Sequence, residues 1–346
     1  MPKTSSNTFM QRCIDLAKRG GKNVGANPQV GCVIVYQGRI IGEGYHQKYG
    51  QAHAEINALA SVKDEDKKHL PKSELYVSLE PCNHFGKTAP CIDAIIKAQI
   101  PRVYISTRDP HKKMSGKSIQ ILRSLGIEVH EGLQSTQGED LIRPFKVAIS
   151  EKRPYIILKY AESQDGFMGQ EGHQVWISNE ASKMLVHKWR TEVDAIMVGT
   201  QTALVDNPRL TSRLVKGDNP SRVILDRTGR IPKSHHIFTD SHRSLIFTSN
   251  PKLSKEIRKE TILLEEKGYN LHHILGILYE KGIHRLLVEG GKKLLNSLIS
   301  EGLWDQARII KARVVLGEGI KAPILKGEVQ NKMPINDNKL LIINRL

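Results

Sequence analysis

Pro81-Cys82-Asn83-His84-Phe85-Gly86-Lys87-Thr88-Ala89-Pro90-Cys91 follows one apolar run, Leu75 to Leu79, and leads into another, Cys91 to Ala98. The first run has the length of a buried strand, and the second places its apolar residues at helical spacing. A strand that delivers one cysteine and a helix that opens on another make half of a metal site. The other half is upstream in His53-Ala54-Glu55, where a second helical run, His53 to Val62, begins. One imidazole and two thiolates give Zn2+ three protein ligands and leave a position open, as in catalytic rather than structural zinc sites. Glu55 is then a carboxylate beside the metal, free to move protons. A Cys82–Cys91 disulfide is the competing reading, and a reducing compartment disfavours it.

The chemistry expected of this set is hydrolytic deamination. Zinc makes bound water acidic enough to act near neutral pH. Glu55 takes the water proton, passes it to a ring nitrogen and later protonates the leaving ammonia. His53 and Glu55 are two residues apart, about 200° around a helix. The helix is therefore expected to begin at or just before His53, where side chains of the first turn can point along the axis. Nucleobase deaminases in general carry Pro-Cys-x-x-Cys; here eight residues separate Cys82 from Cys91. The longer loop brings His84 and Lys87, which suit a phosphorylated substrate better than a bare base.

Working outward, residues 8–20 place Met10, Cys13, Ile14 and Ala17 on one helical face. Cys13 and Cys32 are expected to pack in the core. Gly31 to Tyr36 and Arg39 to Gly44 read as strands joined at Gln37-Gly38. Arg102 to Thr107 and Ile127 to His130 read as strands around a helix, Lys117 to Leu125. The alternation of strands and helices predicts an α/β chain with a largely parallel sheet. The pattern restarts near Arg153-Pro154: strands at Tyr155 to Lys159, Asp194 to Val198, Arg222 to Asp226, Ser244 to Thr248 and His284 to Glu289, with helices at Asn179 to Arg190, Leu271 to Lys281 and Lys292 to Ile299. Strands at Ala307 to Leu316 and Leu340 to Ile343 close the chain. This places a domain boundary near residues 146–153.

Length and composition agree with two globular domains: 346 residues, 39% hydrophobic and 25% charged. No apolar run approaches the roughly 20 residues of a membrane helix, and the N-terminus lacks the apolar core of a signal peptide. A cytoplasmic location and no membrane partner are expected. The net charge of +16 suits either nucleic acid or small anionic ligands. Basic residues are spread along the chain, and aromatics at 5% do not suggest a base-stacking track.

In the second half, Leu286-Leu287-Val288-Glu289-Gly290-Gly291 ends an apolar strand in two glycines before a helix that starts Lys292-Lys293. Glycines there let a phosphate approach the backbone, although a plain strand–turn–helix junction reads the same way. Arg190 ends one helix, and Asp206-Asn207-Pro208-Arg209-Leu210-Thr211-Ser212-Arg213 is a polar loop with two arginines suited to phosphate.

Taken together these residues resemble the RibD family of riboflavin biosynthesis, a pyrimidine deaminase fused to a reductase, over essentially the whole chain. Asn27-Pro28-Gln29-Val30-Gly31, His53-Ala54-Glu55 and the Pro81-to-Cys91 loop look like its deaminase motifs. Lys159, Asp165-Gly166, Trp176-Ile177-Ser178, Arg190, the Asp206-to-Arg213 run and Val288-Glu289-Gly290-Gly291 stand in the order of its reductase. The chain departs from the family's usual residues at Ala89, Glu162, Gln164 and Phe167.

The resemblance implies a cytidine-deaminase-like domain over residues 1–148 and a dihydrofolate-reductase-like domain over 149–346 that uses NADPH. It implies that Asn27, His46, His84 and Lys87 hold the pyrimidine. It implies NADPH contacts from Ala161, Trp176, Thr202, Asp206, Gly291, Lys292 and Lys293, and sugar-phosphate contacts from Lys159, Arg190, Leu210, Arg213 and Glu289. The partner is then a small phosphorylated pyrimidine rather than nucleic acid, and the sequence is compatible with a homo-oligomer. The alternative is a nucleic-acid base deaminase with an accessory domain; a non-catalytic nucleic-acid-binding protein would rest on charge alone.

Overall fold

The computed structural model describes residues 3–85, 89–111, 114–172, 175–265 and 270–346. The chain forms two compact units, Met1–Glu151 and Lys152–Leu346. Among the described residues no helix is long and apolar enough to cross a membrane.

The first unit runs α1 (Lys3–Lys18), β1 (Gly31–Tyr36), β2 (Arg39–Tyr45), α2 (Ala54–Ala60), α3 (Asp64–Lys67), β3 (Glu74–Leu79), α4 (Cys91–Lys97), β4 (Arg102–Thr107), α5 (Lys117–Ser124), β5 (Glu128–Glu131) and α6 (Ser135–Glu151). Its sheet has the order β2-β1-β3-β4-β5. β3, β4 and β5 are parallel, but β1 is antiparallel to both β2 and β3. The expected largely parallel sheet is thus only partly present here. Gln37 and Gly38 both have positive φ, 49° and 77°, the two-residue hairpin geometry that reverses the chain.

Met10, Cys13, Ile14 and Ala17 are buried and share one core with β1 and β3; Cys32 lies in the same core. Glycine at position 44 decides where α2 sits. A Cβ on Gly44 would collide with the backbone of Asn57 and Ala58, so α2 rests directly on β2, which fixes His53 and Glu55 against the sheet. α6 is the largest element that the sequence pattern missed. Its Pro144 interrupts the helical signal, and the expected 148/149 boundary falls inside its last turn.

The second unit runs β6 (Tyr155–Glu162), α7 (Glu180–Thr191), β7 (Ala195–Gly199), α8 (Thr200–Asp206), β8 (Ser221–Leu225), α9 (His236–Thr239), β9 (Ser244–Thr248), α10 (Pro251–Glu256), β10 (Glu260–Leu263), α11 (Leu271–Glu280), β11 (Arg285–Val288), α12 (Lys292–Ser300), β12 (Gln306–Lys311), β13 (Glu328–Ile335) and β14 (Asn338–Asn344). The sheet order is β10-β9-β8-β7-β11-β6-β12-β14-β13. All neighbours from β10 to β12 are parallel, and β14 and β13 close one edge antiparallel. Asn179 caps α7 as expected, its side chain accepting the N–H of Ser182.

Two strand expectations need correction. β12 stops at Lys311, short of Leu316. Beyond it the Asp165 carboxylate accepts the N–H groups of Leu316 (3.2 Å) and Gly317 (2.7 Å), and so bends the chain away. Val315 is left 63% exposed, so its apolar character misled the strand reading. β13 was not foreseen, because almost every residue of this edge strand is exposed and no buried face imprints alternation on it.

Arg153 and Asp305 are both buried and form a bidentate pair (2.6 and 2.8 Å), and Asp305 also accepts the N–H of Ile156 at 2.7 Å. Asp305→Ala removes the carboxylate that neutralises this guanidinium and should cost about 3–5 kcal/mol. Trp176, Trp189 and Trp304, the only tryptophans, all lie in the second unit, so tryptophan fluorescence during urea unfolding isolates the effect. An unchanged midpoint would show the pair to be energetically idle.

Candidate active sites

His53 is the N-cap of α2 and has extended backbone (φ −74°, ψ 169°). The helix therefore starts one residue later than the sequence spacing required, and the 200° argument does not apply to His53. Its Nδ1 lies 3.5 Å from Cys82 Sγ and 3.3 Å from Cys91 Sγ. Cys91 opens α4; its N–H donates to Cys82 Sγ (3.3 Å), and the Ile92 N–H donates to the Cys82 carbonyl (3.2 Å). The three ligand atoms lie within 4.8 Å of one another.

Glu55 is buried beside them. Burial pushes its carboxyl up to about 7, and the charge of Cys82 adds to the effect. Cys82 is held down at about 4, first by the hydrogen bond from Cys91, while Cys91 is pushed up, first by Cys82 and then by burial. Two thiols this close cannot both ionise unless a cation shares the site. The donor set thus fits a divalent, thiophilic metal.

Asn27 and His46 meet at the same place. Asn27 Nδ2 donates to His46 Nε2 (3.0 Å), and His46 Nδ1 donates to the Ala52 carbonyl (3.1 Å). Burial pushes the His46 pKa down, so the ring is neutral with its proton on Nδ1. The rings of His46 and His53 are edge to face at 5.4 Å. His84 is exposed. Lys87, like Gly86 and Thr88, lies outside the described residues. Sequence reasoning missed Asn57, whose amide donates to the Tyr45 (2.8 Å) and Ala52 (3.3 Å) carbonyls and holds the segment carrying His46; no motif marks it.

In the second unit a cleft of about 1310 Å³ is lined by Lys159, Ala161, Trp176, Arg190, Thr202 and Asp206, and further by Leu210, Arg213, Glu289, Gly291, Lys292 and Lys293. Residues spread over more than a hundred positions of sequence thus share one cavity. At its base Glu289 accepts two hydrogen bonds from Arg190, both 2.8 Å, with Lys159 at 4.0 Å. Burial alone would push Glu289 up; the charge and hydrogen bonds of Arg190, then Lys159, outweigh it and hold the carboxyl at about 2. Burial lowers the Lys159 pKa and raises that of Asp206. Arg190 also donates to the Thr211 carbonyl (2.8 Å) and so ties the Asp206-to-Arg213 loop to Glu289.

Gly290 and Gly291 form a cradle in front of α12. A Cβ on Gly290 would lie 3.0 Å from the Val198 side chain, and Gly291 has φ +68°. Bare backbone, a helix start and two lysines fit the pyrophosphate of a dinucleotide. The cleft is also lined by Arg227, Arg230 and His187, which the sequence did not single out. Burial, then Arg190 and Arg213, hold His187 at about 4, so it is a neutral ring in a basic wall.

Two family profiles match the chain: the zinc-binding region of cytidine and deoxycytidylate deaminases over residues 3–107, and the RibD C-terminal domain over 154–342. The chain belongs to the RibD family. It is 39% identical to riboflavin biosynthesis protein RibD of Aquifex aeolicus, over 90% of this chain and 88% of that one. It is 34% identical to RibD of Escherichia coli, over 89% and 88%. A Thermotoga maritima structure described as a diaminohydroxyphosphoribosylaminopyrimidine deaminase/5-amino-6-(5-phosphoribosylamino)uracil reductase superposes with a TM-score of 0.88, at 35% identity and full coverage of both chains. RibD of Acinetobacter baumannii superposes with a TM-score of 0.83 at 30% identity, covering 99% of each. As a RibD chain it joins a zinc-binding cytidine-deaminase-like unit to an NADPH-dependent reductase unit of dihydrofolate-reductase-like fold.

The depressed Glu289 pKa of this RibD chain has a signed consequence. Its ionised pairing stabilises the fold above the ordinary value of 4.5, and that contribution is lost as pH falls through about 2. Glu289→Gln should therefore cost about 3 kcal/mol at pH 7, with the gap to wild type narrowing by pH 3. Urea titrations at the two pH values read it, and a gap independent of pH would contradict the assignment.

Proposed function

We propose that the first unit hydrolytically removes the exocyclic amine of a diaminopyrimidinone carrying a ribosylamino 5′-phosphate, and that the second reduces the ribosyl group of the product to ribityl. The observation that carries this reading is the convergence of His53, Cys82 and Cys91 on one point with a buried carboxyl, Glu55, beside it.

His53, Cys82 and Cys91 would hold the zinc, which supplies the Lewis acidity that makes water a nucleophile near neutral pH. Glu55, poised near 7 by burial, takes a proton from the attacking water and delivers it to the ring nitrogen; it then takes the second proton, from the hydroxyl now on the ring carbon, and gives it to the departing amine, which leaves as ammonia. The neutral His46 holds the Asn27 amide in place, and Asn27 orients the pyrimidine through its amide oxygen and its second N–H. His84 and Lys87 are assigned to the substrate's anionic arm.

In the second unit Ala161, Trp176, Thr202, Asp206 and the Gly291-Lys292-Lys293 start of α12 would hold NADPH, which supplies the hydride. Lys159, Arg190, Leu210, Arg213 and Glu289 bind and orient the sugar phosphate. Their share of the catalysis is to bring the opened sugar's C1 to the nicotinamide and to keep water out. A nucleic-acid base deaminase would leave this cleft without a task. The two activities divide at the junction of the units, residues 3–151 and 152–346.

Glu55→Ala should abolish ammonia release while NADPH oxidation on pre-deaminated substrate continues, and purified wild type should carry near-stoichiometric zinc. Loss of both activities in a folded variant, or active enzyme without zinc by metal analysis, would overturn the deaminase half. For the reductase half, Gly291→Ala forces a left-handed backbone on a Cβ residue at a cost of about 1–2 kcal/mol. Nicotinamide fluorescence should show NADPH binding weakened about tenfold with deamination intact; wild-type affinity would remove Gly291 from the cofactor site.

A further inference from the structure

Asp165 has no task in the mechanism above and lies outside the lining of the cleft. Its Oδ1 accepts the Ser163 hydroxyl (2.6 Å) and the Leu316 N–H (3.2 Å), and its Oδ2 accepts the Gly317 N–H (2.7 Å). The Ser163 hydroxyl, and after it the two backbone N–H groups, hold its carboxyl below the ordinary range. It is therefore an ionised acceptor at neutral pH, and hydrogen bonds to ionised acceptors are the stronger kind. Residues 313–315 and 317–319 are exposed. No apolar core fixes that segment, so polar contacts must.

The carboxylate joins two segments that leave the same edge of the sheet. β6 and β12 are parallel, and just past β12 the Ala312 N–H donates to the Glu162 carbonyl at 2.9 Å. The chain after β6 then turns sharply: the Ser163 N–H donates to the Phe167 carbonyl (2.8 Å), and Gly166 has φ +84°. Its return limb runs antiparallel to the chain after β12, with Phe167 opposite Lys321. The Met168 N–H donates to the Ile320 carbonyl and the Ile320 N–H to the Gly169 carbonyl, both at 2.8 Å, and the Ala322 N–H donates to the Gly166 carbonyl at 2.9 Å. The approach is close, since a Cβ on Gly319 would lie 2.3 Å from the Gly169 carbonyl oxygen. Met168, Gly169 and Ile320 of this ribbon line the cleft together with Lys159 and Ala161 of β6.

Hydride transfer needs the nicotinamide beside the sugar. Lys159 and Glu289 mark the sugar's end of the cleft, and the ribbon begins just beyond Ala161 on the strand that carries Lys159. We propose that Asp165 is a positioning residue of the reductase: it staples residues 314–320 to the turn after β6, and so fixes the wall of Met168, Gly169 and Ile320 against which the nicotinamide ring is seated for hydride transfer. The inference rests on the reductase reading of the second unit. It accounts for an ionised carboxylate spent on backbone N–H groups outside the cleft, and it assigns a task to a segment without a core of its own.

The test uses the full chain as wild type, Asp165→Ala, Asp165→Asn and Gly319→Ala. NADPH affinity is read by nicotinamide fluorescence, reduction by NADPH oxidation on deaminated substrate, and ammonia release serves as the control. Asp165→Ala should lower kcat for reduction about 10- to 100-fold, with NADPH affinity changed less than about threefold and deamination intact. The loss should sit on the hydride step, so NADPH deuterated at the transferred position should show a primary isotope effect on kcat in the variant. Asp165→Asn, whose amide oxygen can accept from Gly317 while its N–H group donates to the Ser163 hydroxyl, should recover most of the rate. Gly319→Ala pushes the ribbon off Gly169 from the opposite limb and should repeat the kcat loss; it decides the matter if Asp165→Ala does not fold. Unchanged kcat in Asp165→Ala or, where that variant does not fold, in Gly319→Ala would overturn the proposal. So would a rate loss matched by an equal loss of NADPH affinity, an absent isotope effect, or no recovery in Asp165→Asn. Wild type that binds NADPH but does not oxidise it on deaminated substrate would instead reject the reductase reading itself.

Discussion

Parallel strand pairing is the constraint on which both sites depend. Where β3 lies parallel to β4, and where β6, β11 and β7 lie parallel, the chain must leave each strand at the same edge of its sheet. Side chains that follow the strands are therefore gathered there whatever their separation in sequence. Cys82 follows β3, and Glu289 with its two glycines follows β11. The chemistry of each unit hangs from such an edge, and the helices that return from it supply the remaining groups: Cys91 at the start of α4, Arg190 near the end of α7.

The electrostatics of the two sites solve opposite problems with the same means. In the first unit burial pushes the Glu55 carboxyl up to about 7, a range in which a carboxyl can both take and return a proton. In the second, Arg190 and Lys159 hold Glu289 ionised at about 2, a fixed acceptor rather than a shuttle. The difference is the counter-charge. Glu55 is buried among thiols, whereas Glu289 is gripped by a guanidinium from a neighbouring helix. Buried carboxylates of one chemical type thus take different roles because their neighbours differ.

Much of the fold was legible where a face is buried. Met10, Cys13, Ile14 and Ala17 announced α1, Gln37-Gly38 announced the hairpin, and Asn179 announced the start of α7, because each obeys a local rule of periodicity, turn geometry or capping. β13 was illegible because an exposed edge strand leaves no alternation. The overrun of β12 into Val314 and Val315 had the converse cause: an apolar run whose partner, the Asp165 carboxylate, lies about 150 residues away in sequence. α6 was hidden by Pro144. The three side chains that converge as a candidate metal site could be named from residue types and order alone, whereas Asn57 and His187 carry no motif and emerge only as neighbours in space.

By itself the sequence determined the candidate ligand types, the presence of a carboxylate beside them, the two-unit plan and the order of the reductase motifs, since these follow from local chemistry and spacing. Tertiary structure decided what distance in sequence conceals. It made His53 an extended N-cap rather than part of the helix. It let Gly44 set α2 against the sheet, and it closed Arg190 on Glu289 across ninety-nine positions. The physical reason is that a pKa, a cleft or a close backbone approach is a property of neighbours in space, and parallel strand pairing chooses those neighbours only once the chain has folded.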